Sequence, residues 1–241
     1  MRGIILSGGS GTRLKPLTKI TSKQLLPIYH RPMIYYPLNT LIRAGIKEIL
    51  IIVAPERAGD YLNLLGSGKE FGVKFTYEIQ DHPEGIAQAF LIGENFIDQE
   101  DVALILGDNI FEDDFIDEIK AFKGGAKIFA KQVPDPERFG VVKFNSGMKA
   151  EKIVEKPQEF LSDYAVTGLY VYDRRVVEAA KSMRPSERGE LEITDINNWY
   201  LNKGELAVAL VQGEWLDAGT FDSLLRAQNF AKEKLADKMV I

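Results

Sequence analysis

The sequence predicts an α/β fold around a mixed, mainly parallel sheet, and three observations carry that prediction. Short runs of consecutive apolar residues recur along the first hundred positions, helix-spaced patterns lie between them, and glycines close many of these segments. A run that is apolar at every position marks a strand buried on both faces. Such strands alternating with helices make βαβ units, which imply right-handed crossovers and a parallel sheet.

The first strand is expected at 3–7, where Ile4, Ile5 and Leu6 meet glycines at once. From Pro32, Met33, Ile34, Leu38, Leu41 and Ile42 recur at helical spacing and Gly45 closes the segment. Pro37 inside it should shorten or kink the first turn. A second strand follows at 46–53, a helix at 56–66 and a third strand at 73–79. Ile86, Ala89, Phe90 and Gly93 share one face of a helix at 85–97, and a fourth strand at 102–106 runs into Gly107-Asp108-Asn109. After about residue 125 the texture changes. Strand-like runs at 126–133, 139–144, 150–155 and 165–172 lie close together, with a turn at Asn145-Ser146-Gly147. They are expected to add antiparallel or mixed strands to the same sheet. Helices at 174–183 and 193–203, a strand at 206–211 and a helix at 221–235 complete the chain.

A chain of 241 residues buries a full core, and no repeat or linker divides it, so one domain is expected over 1–241. The net charge of −5 supplies no basic field for a nucleic acid polymer. With no cysteine there is no disulfide, thiolate metal site or thiol catalysis, which fits a cytoplasmic protein. The apolar start is too short for a signal peptide, and no apolar run approaches a membrane span.

In open α/β sheets ligands bind beyond the carboxyl ends of the strands. Two candidates sit there and should share one sheet edge. The first is Gly8-Gly9-Ser10-Gly11-Thr12-Arg13. Glycines let backbone N–H groups approach a phosphate closely. Leu14 stands where a dinucleotide fingerprint needs its third glycine, and no glycine-lysine-serine/threonine triplet makes a P-loop. Arg13 adds a permanent forked cation suited to a triphosphate, and Lys23 could reach the same phosphates. Read alone, the loop is also a tight turn with a solvated arginine. The second candidate is Asp108, which with Asp217 offers oxygen ligands of the kind magnesium takes. Their plainer readings are a turn-forming aspartate and a helix cap. His30 and His82 are far apart and read as surface or loop residues, and no serine–histidine–aspartate pattern is evident.

The motifs in order resemble the sugar nucleotidylyltransferase family over nearly the whole chain. They run from Gly8-Gly9-Ser10-Gly11-Thr12-Arg13-Leu14 through Pro16-Leu17-Thr18 and Ser22-Lys23-Gln24-Leu25-Leu26-Pro27 to Gln80 with Gly85-Ile86-Ala87-Gln88. Gly107-Asp108-Asn109, Phe139-Gly140-Val141-Val142, Glu155-Lys156-Pro157, Thr167-Gly168-Leu169-Tyr170, Gly189-Glu190-Leu191-Glu192-Ile193-Thr194-Asp195 and Trp215-Leu216-Asp217-Ala218-Gly219-Thr220 follow. The ordered set is specific; no single member is.

The resemblance implies a Rossmann-like three-layer sandwich of the nucleotide-diphospho-sugar transferase type, with a nucleotide-binding half at 1–125 and a sugar-binding half at 126–241. It implies Mg²⁺-assisted attack of a sugar-1-phosphate on the α-phosphate of a nucleoside triphosphate, nearest to members using dTTP and glucose-1-phosphate. Gly8, Gly9, Gly11, Thr12, Arg13, Gln24, Gln80 and Gly85 fall to the nucleotide. Gly140, Glu155, Lys156 and Tyr170 fall to the sugar phosphate, and Asp108 and Asp217 to the metal. Arg13, Lys23 and Lys156 would be the catalytic cations. A UTP-dependent or other sugar-phosphate enzyme, and a non-catalytic sugar-nucleotide sensor, stay open; the full set of charged residues argues against the sensor. The chain stops 24 residues after Asp217. Longer members carry further C-terminal helices used in oligomer packing and regulation, so a monomer or small homo-oligomer is expected.

Overall fold

The computed structural model describes residues 1–236 and 238–241. Its strands are β1 Arg2–Ser7, β2 Pro27–Ile28, β3 Arg31–Pro32, β4 Glu48–Val53, β5 Lys74–Ile79, β6 Val102–Leu106, β7 Asn109–Phe111, β8 Ala126–Gln132, β9 Gly140–Phe144, β10 Ala150–Glu155, β11 Tyr164–Tyr172, β12 Leu206–Leu210 and β13 Trp215–Asp217. Its helices are α1 Tyr35–Arg43, α2 Ala58–Leu65, α3 Gln88–Ile92, α4 Glu94–Ile97, α5 Ile116–Lys120, α6 Val176–Ser182, α7 Ile193–Leu201 and α8 Phe221–Phe230.

Nine strands form one sheet in the order β10-β9-β11-β6-β1-β4-β5, with β8 also on β11 and β12 beyond β8. β1, β4, β5, β6, β8, β9 and β12 point one way, and β10 and β11 run against them. The sheet is therefore mixed and mainly parallel, and strands from both halves of the chain join it.

The consecutive apolar residues are explained by helices on both faces. Ile4, Leu50, Ile52 and Leu104 enter one core with Phe90 of α3, Val176 of α6 and Tyr200 of α7. Ile5, Ile49, Ile51 and Ile105 enter the other with Leu38 and Leu41 of α1, Leu65 of α2 and Ile119 of α5. Alternate side chains of a strand point to opposite faces, so a strand between two cores must be apolar throughout. Truncating a fully buried residue such as Ile4 to alanine removes about 2–5 kcal/mol. A third cluster joins Leu14, Ile28, Met33, Ile110 and Leu224, and seats α8 beside the exit of the glycine loop.

The edges of β11 position the site. β8 takes one edge. The other is shared: β9 pairs at Ala165, and β6 pairs only from Leu169 onward. Between those points neither β6 nor β9 pairs with β11, and a cleft lies there.

Some local expectations are corrected. The helix expected at 85–97 is two helices, because Gly93 has non-helical backbone and packs close to Leu50 and Ile4. Its first residues are not helical, since Gly85 has a φ of 107°. The helix expected from Pro32 begins at Tyr35, with Pro37 in the first turn, where a missing N–H costs little. α8 gives way to a π-helical turn at Ala231–Leu235. The β2–β3 hairpin, the β7–β13 ribbon and α5 were not expected.

Candidate active site

The turn after β6 carries Asp108 at the carboxyl end of the sheet beside the glycine loop that follows β1. The two loops touch: the Gly107 N–H donates to the Leu6 carbonyl at 3.0 Å, and a Cβ on Gly107 would lie 2.4 Å from Ser7 Oγ. Parallel pairing of β1 with β6 enforces this closeness. Asp217 arrives by another route. It ends β13, which pairs with β7 so that Asp217 stands opposite Asn109. The helix cap considered for Asp217 belongs to Thr220, whose side chain accepts from the Ser223 N–H.

Asp108 is buried and takes two hydrogen bonds, from Lys23 Nζ to Oδ2 and from Asn109 Nδ2 to Oδ1 at 3.1 Å. Burial pushes its carboxyl up, but Lys23 and these bonds outweigh that and hold it below the ordinary value. Burial likewise opposes the Lys23 charge, and the Asp108 and Asp217 carboxylates more than offset it, raising Lys23. Asp217 behaves oppositely. Burial and the Asp108 charge push it up to about 6, against the pull of Lys23 and Arg13. Its Oδ1 is fully buried without a hydrogen-bond partner. Two carboxylates that resist joint ionisation, one with an unpartnered oxygen, fit a hard divalent cation held by oxygen donors and phosphates.

The amide of Asn109 ties this pair to the rest of the cleft. Its Oδ1 accepts from Trp215 Nε1 at 2.6 Å and from the Gly168 N–H at 3.0 Å. Both donors take the oxygen, so the NH₂ group is turned to Asp108. Gly168 lies in the stretch of β11 flanked by neither β6 nor β9.

The cleft has a volume of about 500 Å³. Arg13, Asp108 and Asp217 line it, and so do Gly140, Glu155, Lys156 and Tyr170. Glu155 pairs in register with Gly140 across the β9–β10 hairpin. Thr194 at the start of α7 donates to Glu155 Oε2 at 2.7 Å. Lys156 Nζ lies 3.8 Å from Glu155 Oε1, and Lys156 has a φ of 42°, unusual for a residue with a side chain. Its backbone is held by a 2.9 Å bond from its N–H to the Phe139 carbonyl. Tyr170 is buried, and burial together with the Glu155 and Asp108 charges raises its hydroxyl.

Gly8, Gly9, Gly11, Thr12, Lys23, Gln24, Gln80 and Gly85 are not among the residues that line the cleft. Gln80 packs so tightly on Gly8 that a Cβ there would lie 2.0 Å from Gln80 Oε1. Gln80 Nε2 donates to Gln88 Oε1 at 2.6 Å. Gln24 is buried, with Oε1 accepting from Ser22 Oγ at 2.7 Å and from the Tyr61 hydroxyl at 3.3 Å. Gly11 has a φ of 60°, and Thr18 Oγ1 donates to its carbonyl at 2.8 Å. At Gly85 a Cβ would lie 2.4 Å from the Leu191 carbonyl oxygen, so the chain there requires glycine. His30 and His82 are exposed.

Sequence reasoning assigned no role to Asn109, Arg138, Thr194 or Trp215, which the structure brings to the cleft. Asn109, Thr194 and Trp215 lie inside the family-like motifs, and Arg138 directly precedes one. Their motif positions were a signal, but nothing local showed which way they point.

Residues 2–234 match the nucleotidyl transferase family. The chain belongs to that family. It is 54% identical over 238 residues to a glucose-1-phosphate thymidylyltransferase of Neisseria meningitidis, covering 96% of this chain and 83% of the relative. It is 52% identical over 237 residues to the enzyme of the same name from Mycolicibacterium smegmatis, covering 96% and 82%. Among solved structures, one described as a glucose-1-phosphate thymidylyltransferase of Bacillus anthracis in complex with a sucrose superposes with a TM-score of 0.92 at 50% identity, covering 97% of this chain and 96% of the other. A UDP-glucose pyrophosphorylase complexed with UDP-glucose superposes with a TM-score of 0.84 at 24% identity, covering 97% and 98%, and shows the shared fold.

Proposed function

We propose that this chain transfers a thymidylyl group from dTTP to glucose-1-phosphate, forming dTDP-glucose and releasing pyrophosphate. The observation that carries the reading is one cleft lined by the Asp108–Asp217 pair, Arg13 and the Glu155–Lys156 hairpin end. The names of relatives at about half identity support the choice of substrates.

An oxygen of the sugar phosphate attacks the α-phosphorus in line, and the bond to the bridging oxygen of pyrophosphate breaks. The attacking oxygen is already anionic, so no protein nucleophile is needed. The chain positions the two substrates and neutralises their charge. Arg13, beside Asp217 and against Gly219, faces the charge growing on pyrophosphate. Lys23 is locked to Asp108, so it both fixes that carboxylate and adds a positive charge beside the triphosphate. Lys156 holds the sugar phosphate. Glu155, braced by Thr194 through Oε2, keeps Oε1 for a sugar hydroxyl. Gln80 and Gly85 serve the base, and the loop at 8–12 serves the phosphates. Asp108 and Asp217 would hold magnesium, which supplies Lewis-acid neutralisation of phosphate charge when bound.

Pyrophosphate release is measured with magnesium for dTTP and UTP against several sugar-1-phosphates. The dTTP and glucose-1-phosphate pair is expected to give the highest kcat/KM. No release with any pair refutes the catalytic reading, and preference for UTP refutes the choice of base. Light scattering tests the expectation of a monomer or small homo-oligomer.

A further inference from the structure

We propose that Gln88 is a positioning residue for base selection, because it sets which way round the Gln80 amide is held. The role rests on the transfer proposed above, with Gln80 at the base. An amide carries an acceptor and a donor of nearly equal reach, so its shape alone does not decide which atom points where. Its partners decide, and here they form a chain. The Glu84 N–H donates to Gln88 Oε1 at 3.1 Å. A backbone N–H can only donate, so the oxygen of Gln88 has to sit there. Gln88 Nε2 donates to Glu84 Oε2 at 2.9 Å. An ionised carboxylate can only accept, so this bond demands the same orientation.

Gln80 inherits that orientation. Gln88 Oε1 accepts from Gln80 Nε2 at 2.6 Å. Turning the Gln80 amide over would set two acceptors against each other at that contact. Its nitrogen therefore faces Gln88, and its oxygen lies over Gly8, where a Cβ would come within 2.0 Å of it. Among the described residues nothing donates to Gln80 Oε1, and one Nε2 hydrogen stays uncommitted. The backbone beneath is pinned as well. The Leu191 N–H donates to the Glu84 carbonyl at 2.6 Å, and the Ala87 N–H to the Leu191 carbonyl at 3.1 Å. Gln80 leaves the end of β5 with its own N–H on the Val53 carbonyl at 2.9 Å. Gln80 is buried, so bulk water does not compete for its amide.

An amide held this way discriminates between pyrimidine edges. Oε1 and the uncommitted Nε2 hydrogen offer an acceptor beside a donor. Thymine and uracil carry a ring N–H beside a carbonyl and match both. Cytosine in the same place sets a ring lone pair against Oε1 where that N–H would be. A Gln80 amide turned over would reverse the preference. Gln88, which does not line the cleft, thus selects the base through Gln80. It leaves thymine and uracil equal, since they share that edge.

The experiment measures pyrophosphate release with glucose-1-phosphate and either dTTP or dCTP. Wild type is compared with Gln88→Met, which keeps the length without the amide, and with the double variant Glu84→Gln/Gln88→Glu. The double variant exchanges amide and carboxylate, so position 88 still accepts from the backbone N–H of position 84 and from Gln80 Nε2. Gln88 is half-buried at the start of α3, and both variants are expected to melt close to wild type. Gln88→Ala, with the best helix propensity, takes the place of Gln88→Met should that variant unfold. Gln88→Met should lower the preference for dTTP over dCTP, as a ratio of kcat/KM values, about tenfold, with KM for glucose-1-phosphate within about twofold. The double variant should keep the wild-type preference within about twofold. An unchanged preference in Gln88→Met overturns the role of Gln88, and so does a folded double variant that has lost the preference. A wild type that uses dCTP as readily as dTTP overturns the base contact of Gln80, and Gln88 with it, while the transfer stands. A wild type that releases no pyrophosphate with any nucleoside triphosphate overturns the transfer itself.

Discussion

Asp217→Asn should make the metal-free protein more stable at neutral pH while disabling it. Asp217 stands near 6 against an ordinary 3.8 because it is buried beside Asp108. A tenfold change in proton affinity corresponds to about 1.4 kcal/mol, so ionised Asp217 lowers folding stability by about 3 kcal/mol. Asparagine carries no charge but still buries an amide, so a gain of about 2 kcal/mol is expected. For a chain of this size that is about 4–8 °C in Tm. The sign follows from which state holds the proton. Below about pH 3 both folded and unfolded chains are protonated at Asp217, and aspartate and asparagine differ little. As pH rises past the unfolded value, the unfolded chain ionises first and the folded state loses relative stability until it ionises near 6. The penalty is complete above about pH 7 and roughly halved near pH 5. Thermal melts in EDTA at those two pH values measure it. Magnesium should then stabilise wild type and leave the variant unchanged, narrowing the gap. An Asp217→Asn protein no more stable than wild type near pH 7, or one with a gain that does not shrink near pH 5, refutes the reasoning.

Other expectations concern turnover. Asp217→Asn and Arg13→Ala should each lower kcat/KM by about 10²-fold in the pyrophosphate assay, with the fold retained. Wild-type values would remove the residue from the charge-handling set. Gly8→Ala places a Cβ 2.0 Å from Gln80 Oε1 and must displace that side chain. It should raise KM for dTTP about tenfold while sparing glucose-1-phosphate, and an unchanged dTTP KM would count against Gln80 as a base contact. Thr194→Val removes the 2.7 Å bond to Glu155. KM for glucose-1-phosphate should rise about three- to tenfold with dTTP unaffected; the reverse pattern would place Glu155 on the nucleotide.

The central strands were legible because Ile4, Ile5, Ile51 and Ile105 have to be buried from both sides, and consecutive apolar residues report that directly. That Arg13 and Asp108 would meet at one sheet edge was legible because both follow strands of a parallel sheet at their carboxyl ends. Helix limits were less so. Gly93 gave no local sign that packing against Leu50 and Ile4 would break its helix.

By itself the sequence determined the layered α/β class, the sheet edge at which the cleft lies and the kinds of charge available there. Periodicity and glycine placement record burial and backbone freedom, and both are local properties. Only the tertiary structure decided which charges meet. Asp217 reaches Asp108 through a ribbon of two three-residue strands, too short to show a period. The Asn109 amide is oriented by Trp215 and Gly168, two distant donors. Arg138 and Lys156 line one cleft because the β9–β10 hairpin closes and β11 divides one edge between β6 and β9. Such meetings depend on long-range pairing and packing, which no window of sequence contains.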